Sequence, residues 1–279
     1  MRANWLAASA AVAFIAPAAA QVYVPIPVAG YTQDVIADAG GAALATTTAP
    51  FDGTTSDNPS VTHVLYQQGY NSAFPTLGVP SGGTIVTSPT RSYQLGPITG
   101  NNALQLIGGP SGASGTLTLV TPARDAALSL LLADGVGVQP SQGGWPYMLA
   151  VNWSSGNTTD YGYTSYDWVL SSGTPGPNAG VAIAGLDRAN RGTGVPDDNT
   201  TNPVLFYYDI NLSVDPNYLA GALIDSVTAI RQPSSSGPLA DNILGLSGAT
   251  SVPEPSALAL LGATAGFAVW RRRRRAYQP

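Results

Sequence analysis

His63 is the only histidine of this 279-residue sequence, and a Ser-His-Asp hydrolase would need it as its general base. It stands in Val61-Thr62-His63-Val64-Leu65, where alternation makes it a polar position on a half-buried strand. Gly109-Pro110-Ser111-Gly112-Ala113-Ser114-Gly115 offers two serines. Neither has glycines both two residues before and two after, as a nucleophile elbow requires, so the run reads as a hairpin turn. One histidine and no cysteine cannot furnish a zinc or iron ligand set. Oxygen ligands do cluster in Asp52-Gly53-Thr54-Thr55-Ser56-Asp57-Asn58 and Asp197-Asp198-Asn199, which makes Asp52, Asp57, Asp197 and Asp198 the calcium candidates. Their spacing is not that of an EF-hand loop, and solvated turns have the same composition. Glycosidases work with a carboxylate pair, and no spacing marks two of the 15 aspartates as partners. The expectation is a protein that is not an enzyme and carries no cofactor.

Aromatic density is the other chemical feature. Trp145, Tyr147, Trp153, Tyr161, Tyr163, Tyr166 and Trp168 fall in one window, which holds every tryptophan between the two terminal segments. Two readings stand. The rings fill a core, since Trp and Tyr bury large areas. Alternatively Trp145, Tyr147, Trp153, Tyr161, Tyr163 and Trp168 face outward and stack on sugars, flanked by Asn152, Asn157 and Asp160, as in a carbohydrate-binding module. Arg188 and Arg191 either read an anionic group such as a uronate or pair with Asp187, Asp197 or Asp198 in loops.

The elements that would position these residues are strands. Val204 to Val214 alternates Phe206, Tyr208, Ile210, Leu212 and Val214 with Tyr207, Asp209, Asn211 and Ser213, a period of two. Thr116 to Val120 does the same. Further strands are expected at His63 to Gln67, Thr84 to Ser88, Ala103 to Ile107, Ala126 to Ala133, Tyr147 to Trp153, Tyr161 to Leu170, Val181 to Leu186, Leu223 to Ile230 and Asn242 to Leu246. Ala123 to Ala133 is the one stretch of the body that also reads as a helix. With 32 glycines and 23 prolines, long helices have little room, and many short strands between Gly/Pro turns point to an all-β fold: a single β-sandwich of jelly-roll type over residues 60–250. Residues 21–59 read as a weakly structured N-terminal arm with one strand at Tyr31 to Ala37.

The two ends are built differently. Arg2, an apolar run from Trp5 to Ile15, Pro17 and the small residues Ala18, Ala19 and Ala20 before Gln21 have the order of a secretory signal peptide over residues 1–20, with a signal helix and cleavage before Gln21. At the other end, residues 251–279 run through Val252-Pro253-Glu254-Pro255 and small and apolar residues from Ser256 to Trp270 to Arg271, Arg272, Arg273, Arg274 and Arg275. The prolines interrupt regular structure, the apolar run enters a bilayer, and the arginines stop it on the cytoplasmic side. Glu254 is the only glutamate of the sequence. Fifteen helical residues span only about 22 Å, short for a permanent anchor and suited to a temporary one.

Between these segments five arginines face 15 aspartates without a single lysine. Ten negative charges are left over, a surface that repels phosphate backbones and makes nucleic acid a poor partner. Without cysteine no disulfide holds the body together, so a packed core must.

The order Pro253-Glu254-Pro255, short transmembrane helix over 256–270 and basic tail over 271–275 resembles the PEP-CTERM sorting signal of exported proteins of Gram-negative bacteria. Asn101-Asn102-Ala103-Leu104, Thr116-Leu117-Thr118-Leu119, Asn202-Pro203-Val204-Leu205 and Ile243-Leu244-Gly245-Leu246-Ser247 are also similar in layout to the ectodomains found ahead of that signal. The resemblance implies passage through the secretion machinery, transient inner-membrane anchoring, cutting by an exosortase-type enzyme, and then a cell-surface or extracellular place. The role it implies is structural or adhesive, beside an extracellular polysaccharide.

Overall fold

Wherever alternation predicts a strand in the body, the computed structural model has one. It describes residues 21–53, 62–135, 143, 145–169, 173–197, 203–233 and 240–250, the side chain of Trp145 excepted. The signal segment with Ala18 and Ala20, the sorting motif Val252 to Pro255, the apolar run and Arg271 to Arg275 lie outside the described residues, as do Asp57 and Asp198.

Two antiparallel sheets dominate. One has the order β1 (Val24–Pro25), β16 (Ala240–Ala249), β9 (Ala127–Asp134), β14 (Leu205–Asn211), β12 (Ala179–Ile183), with β7 (Leu104–Ile107) also paired to β16. The other runs β11 (Thr158–Ser165), β10 (Trp145–Trp153), β15 (Ile224–Arg231), β8 (Ala113–Ala123), β2 (Val28–Ala29). A small sheet joins β13 (Arg188–Asn190), β4 (His63–Tyr66) and β3 (Ile36–Ala37), and β5 (Thr84–Ser88) pairs with β6 (Arg91–Gln94) as a hairpin. Two four-residue helices, α1 (Ala43–Thr46) and α2 (Pro216–Leu219), sit in connections. The described residues are therefore mostly β, as the sequence predicts.

Both main sheets contribute to one hydrophobic cluster, with Leu128, Leu130, Phe206 and Ile210 from the first and Leu117, Leu149, Val151 and Val227 from the second. All eight residues of β9 are buried. One of its faces meets the second sheet; the other lies under the β5–β6 hairpin, whose Tyr93 hydroxyl is 2.7 Å from Ser129 Oγ. A strand buried on both faces loses its alternation, which is why Ala123 to Ala133 also reads as a helix. In the structure it is no helix.

The weakly structured arm needs correction. Val24 pairs with Gly248 in one main sheet, and Val28 pairs with Leu119 in the other. Val35, Ile36, Ala37 and Phe51 are fully buried. The strand expected over Tyr31 to Ala37 shrinks to Ile36–Ala37, because the chain before it bonds to Ala103 and Asn102 instead. Residues 22–53 belong to the body.

The hairpin is fixed by one arginine. Arg91 gives Nη1 to Asp209 Oδ1 at 2.6 Å and Nη2 to Asp209 Oδ2 at 2.7 Å, a two-pronged ion pair. Its guanidinium lies 4.0 Å from the centroids of both Tyr23 and Tyr207. Tyr23 comes from the N-terminal arm and Tyr207 from β14, so one cation joins three parts of the chain.

Candidate functional site

The aromatic window runs along the paired strands β10 and β11 and just past them, and the rings of Tyr147, Trp153, Tyr163, Tyr166 and Trp168 point into the body. Trp153 and Trp168 are 2% and 1% exposed, Tyr147 and Tyr163 3% and 2%, and Tyr166 3%. Trp168 stacks on Phe51 with centroids 4.4 Å apart, and Tyr147 stacks on Tyr163 at 5.2 Å. Tyr161 is half-buried and donates its hydroxyl to Asp215. Rings enclosed in this way present no face to a sugar, so the outward-facing reading of Tyr147, Trp153, Tyr163 and Trp168 is corrected to a core. The physical reason is register. Tyr147 opposes Tyr163 and Leu149 opposes Tyr161, so the odd-numbered residues share the inner face of the sheet, while Asp160, Gly162 and Thr164 take the outer one.

Beneath these rings the structure brings together groups that the sequence leaves apart. Asp134 on β9 and Asp241 on β16 are direct cross-strand partners, and both are fully buried. From the opposite sheet Tyr147 donates to Asp134 Oδ2 at 2.5 Å and Tyr163 donates to Asp241 Oδ2 at 2.7 Å. The buried Arg231 lies with its guanidinium 5.7 Å from the Tyr147 ring centroid and packed against Gly108. Burial pushes the Asp241 carboxyl up to about 6, against the pull of the Tyr163 and Ser165 hydroxyls and Arg231. The tyrosines shift upward too, chiefly through burial and then through the neighbouring carboxylates, so both stay protonated donors. Asp241 Oδ1 and Ser165 Oγ are buried without a partner at ordinary hydrogen-bond geometry. A proton on Asp241 Oδ1 would make it a donor and relieve that cost.

His63 occupies a second polar cluster. Its Nδ1 is 3.6 Å from Asp52 Oδ2 and its Nε2 is 3.7 Å from Asp197 Oδ1, while Arg188 Nε donates to Asp197 Oδ2 at 2.7 Å. Two calcium candidates thus flank the histidine, with an arginine already bound to one of them. Among the described residues no group of three or more metal-ligating side chains has the geometry to hold an ion. Arg188 pairs with Asp197, as its loop reading expects. Arg191 departs from that reading, giving its Nε and Nη2 to the Thr47 hydroxyl and carbonyl at 2.8 Å each.

The segment that carries the sorting motif leaves the body from β16, whose last residue, Ala249, accepts a hydrogen bond from Ala126 N at 2.8 Å. No helix among the described residues is long and apolar enough to cross a membrane. No curated protein and no solved structure matches this chain. Residues 251–275 match the PEP-CTERM protein-sorting motif, the mark of an exported protein processed by an exosortase-type enzyme.

Proposed function

We propose that this chain is an exported, non-enzymatic surface or matrix protein with a structural or adhesive role in an extracellular polysaccharide setting. The observation that carries the reading is the motif at 251–275, in which Pro253-Glu254-Pro255 precedes an apolar run and five arginines. In this reading residues 1–20 are a signal peptide removed before Gln21. Residues 256–270 hold the chain in the inner membrane until an exosortase-type enzyme cuts near the Pro-Glu-Pro site, and the acidic body is then displayed or released. Its two main sheets act as one jelly-roll-like sandwich. A body whose large aromatic rings are packed inward suits a rigid scaffold better than a ring-stacking lectin. The negative surface keeps such scaffolds dispersed.

Mass spectrometry of the protein recovered outside the cell tests this. A mature N-terminus at Gln21 and loss of Arg271 to Arg275 are expected, and an intact arginine tail outside the cell would contradict processing. Turnover of a substrate that is lost in His63→Ala would contradict the non-enzymatic part.

A further inference from the structure

The two ends of the folded body lie side by side. Val24 pairs with Gly248, Ala126 N bonds to Ala249 O, and Leu212 N bonds to Ala126 O. Ile224 opposes Ala123 on one side and Trp153 on the other. The start of β1 and the end of β16 therefore share one end of the molecule with the end of β8, the start of β9, the end of β14 and the start of β15. Ala240, at the other end of β16, is beside Gly53 and bonded to Gly135. The His63, Asp52 and Asp197 cluster is at that far end.

Large apolar side chains are unevenly exposed along this axis. Among the described residues ten are well exposed, and Val22, Val24, Val214, Leu219 and Leu223 are all at the end where the chain enters and leaves. Val120, 67% exposed, is three residues from the end of β8. The carboxylates next to them are turned inward. Asp125 and Asp215 are 6% and 4% exposed, Asp215 capping α2 by accepting from Asn217 N at 2.7 Å. Asp225 is half-buried, and Asp160 on the outer face of β11 is the exposed acid nearest this end. The exposed cation is Arg124, whose Nη2 donates to the Tyr218 carbonyl at 3.2 Å and whose guanidinium is 5.1 Å from the Tyr218 ring centroid. Valine and leucine tips with an arginine and a tyrosine beside them form the composition that settles at a bilayer interface.

We infer that this end of the body is a lipid-facing surface, seated on the bilayer while the chain is held in the membrane. The inference rests on the reading of the terminal segments as membrane-entering. The occupant follows from where the chain goes. Six residues separate Ala249 from Ser256, the first of the apolar run, and even fully extended the seven steps from one to the other reach no more than about 25 Å. That short connection keeps the end of the body from which β16 leaves close to the membrane. Zwitterionic lipid suits it best, because the body as a whole is acidic and repels anionic headgroups.

Because the native chain has no cysteine, single probes can be placed without ambiguity. The full chain is reconstituted into phosphatidylcholine vesicles with an environment-sensitive fluorophore on Leu219→Cys, Val120→Cys or, at the far end, Val195→Cys, and quenched by lipids carrying a nitroxide near the headgroup. Several-fold stronger quenching at positions 219 and 120 than at 195 is expected. Replacing Val214, Leu219 and Leu223 together by serine should abolish the quenching at 120 while the protein still floats with the vesicles. Flotation with equal, weak quenching at all three positions overturns the lipid-facing surface and leaves the membrane anchor standing. Quenching unchanged by the serine variant overturns it too, since the tether alone would then explain proximity. Failure to float overturns the anchor reading and this inference with it. Disulfide-linked Leu219→Cys dimers without quenching would assign the surface to a second copy of the chain, also against the inference.

Discussion

Asp134 and Asp241 stand directly opposite each other on adjacent strands, both shut off from solvent, and each is held by a tyrosine hydroxyl from the facing sheet. Burial disfavours the ionised form of a carboxyl, and it pushes that of Asp241 up.

Acidification should therefore stabilise the fold. Asp241 titrates at about 6 in the folded chain, against about 3.9 for an unfolded aspartate. Between those values the native state keeps a proton that the unfolded state has lost. The stabilisation is complete below about pH 4 and is lost as pH rises through 6. Asp34, also pushed to about 6 by burial, acts in the same direction. Asp215, held low by hydrogen bonds from Tyr161, Asn217 and Thr159, opposes them only under stronger acid, where its contribution disappears. Urea denaturation should show a midpoint higher at pH 5 than at pH 7.5, with Asp241 supplying about 1–1.5 kcal/mol over that interval and Asp241→Asn flattening that part of the slope. A midpoint that climbs from pH 5 to 7.5 would refute the assignment.

Tyr147→Phe should cost about 1–3 kcal/mol at neutral pH, because it removes a donor to the buried Asp134 and leaves part of that carboxylate unsolvated. Thermal unfolding measures it. The cost should shrink in an Asp134→Asn background, where no charge needs that donor.

Arg91→Lys keeps the charge and loses the fork that fits Asp209 and the flat cation held between Tyr23 and Tyr207. We expect a loss of about 1–3 kcal/mol in chemical denaturation. Equal stability of the two proteins would show that charge alone fixes the hairpin.

Gly30 has φ of 112°, and a Cβ there would lie 2.3 Å from the Thr116 carbonyl oxygen. Gly30→Ala should destabilise by about 2–4 kcal/mol through both strain and collision. Gly162→Ala on the outer face of β11 meets nothing within 4 Å and should stay within about 0.5 kcal/mol of the native chain. Comparing the two melts separates a required glycine from a tolerated one.

The strands were legible in the sequence because alternation and Gly/Pro punctuation are local. Thr84–Ser88 emerges with the bounds the pattern predicts. Arg91-Ser92-Tyr93-Gln94 was not legible, since its residues are set by the Asp209 ion pair and the Ser129 hydroxyl rather than by a period. The two-residue strands at Val24–Pro25 and Val28–Ala29 are too short to carry a pattern at all. The acid pair was illegible for a different reason: Asp134 and Asp241 meet only through the register of β9 on β16, and nothing local distinguishes them from the solvated aspartates. In β16 even Asp241, Asn242 and Ser247 are buried, because Tyr163, Gln105 and the Ser92 carbonyl supply their partners from distant parts of the chain. The aromatic window was visible as a cluster, but its inward direction was decided by tertiary pairing.

The ten residues of Ala240–Ala249 follow every other strand among the described residues, yet they are inserted between β1 and β9 as the keystone of their sheet. Until they arrive, the flank of β1 and the flank of β9 have no neighbour there, and exposed flanks of that kind invite mispairing. The sheet is thus complete only when its last strand in chain order is in place, and the strand nearest the sorting segment is the stone that closes the arch.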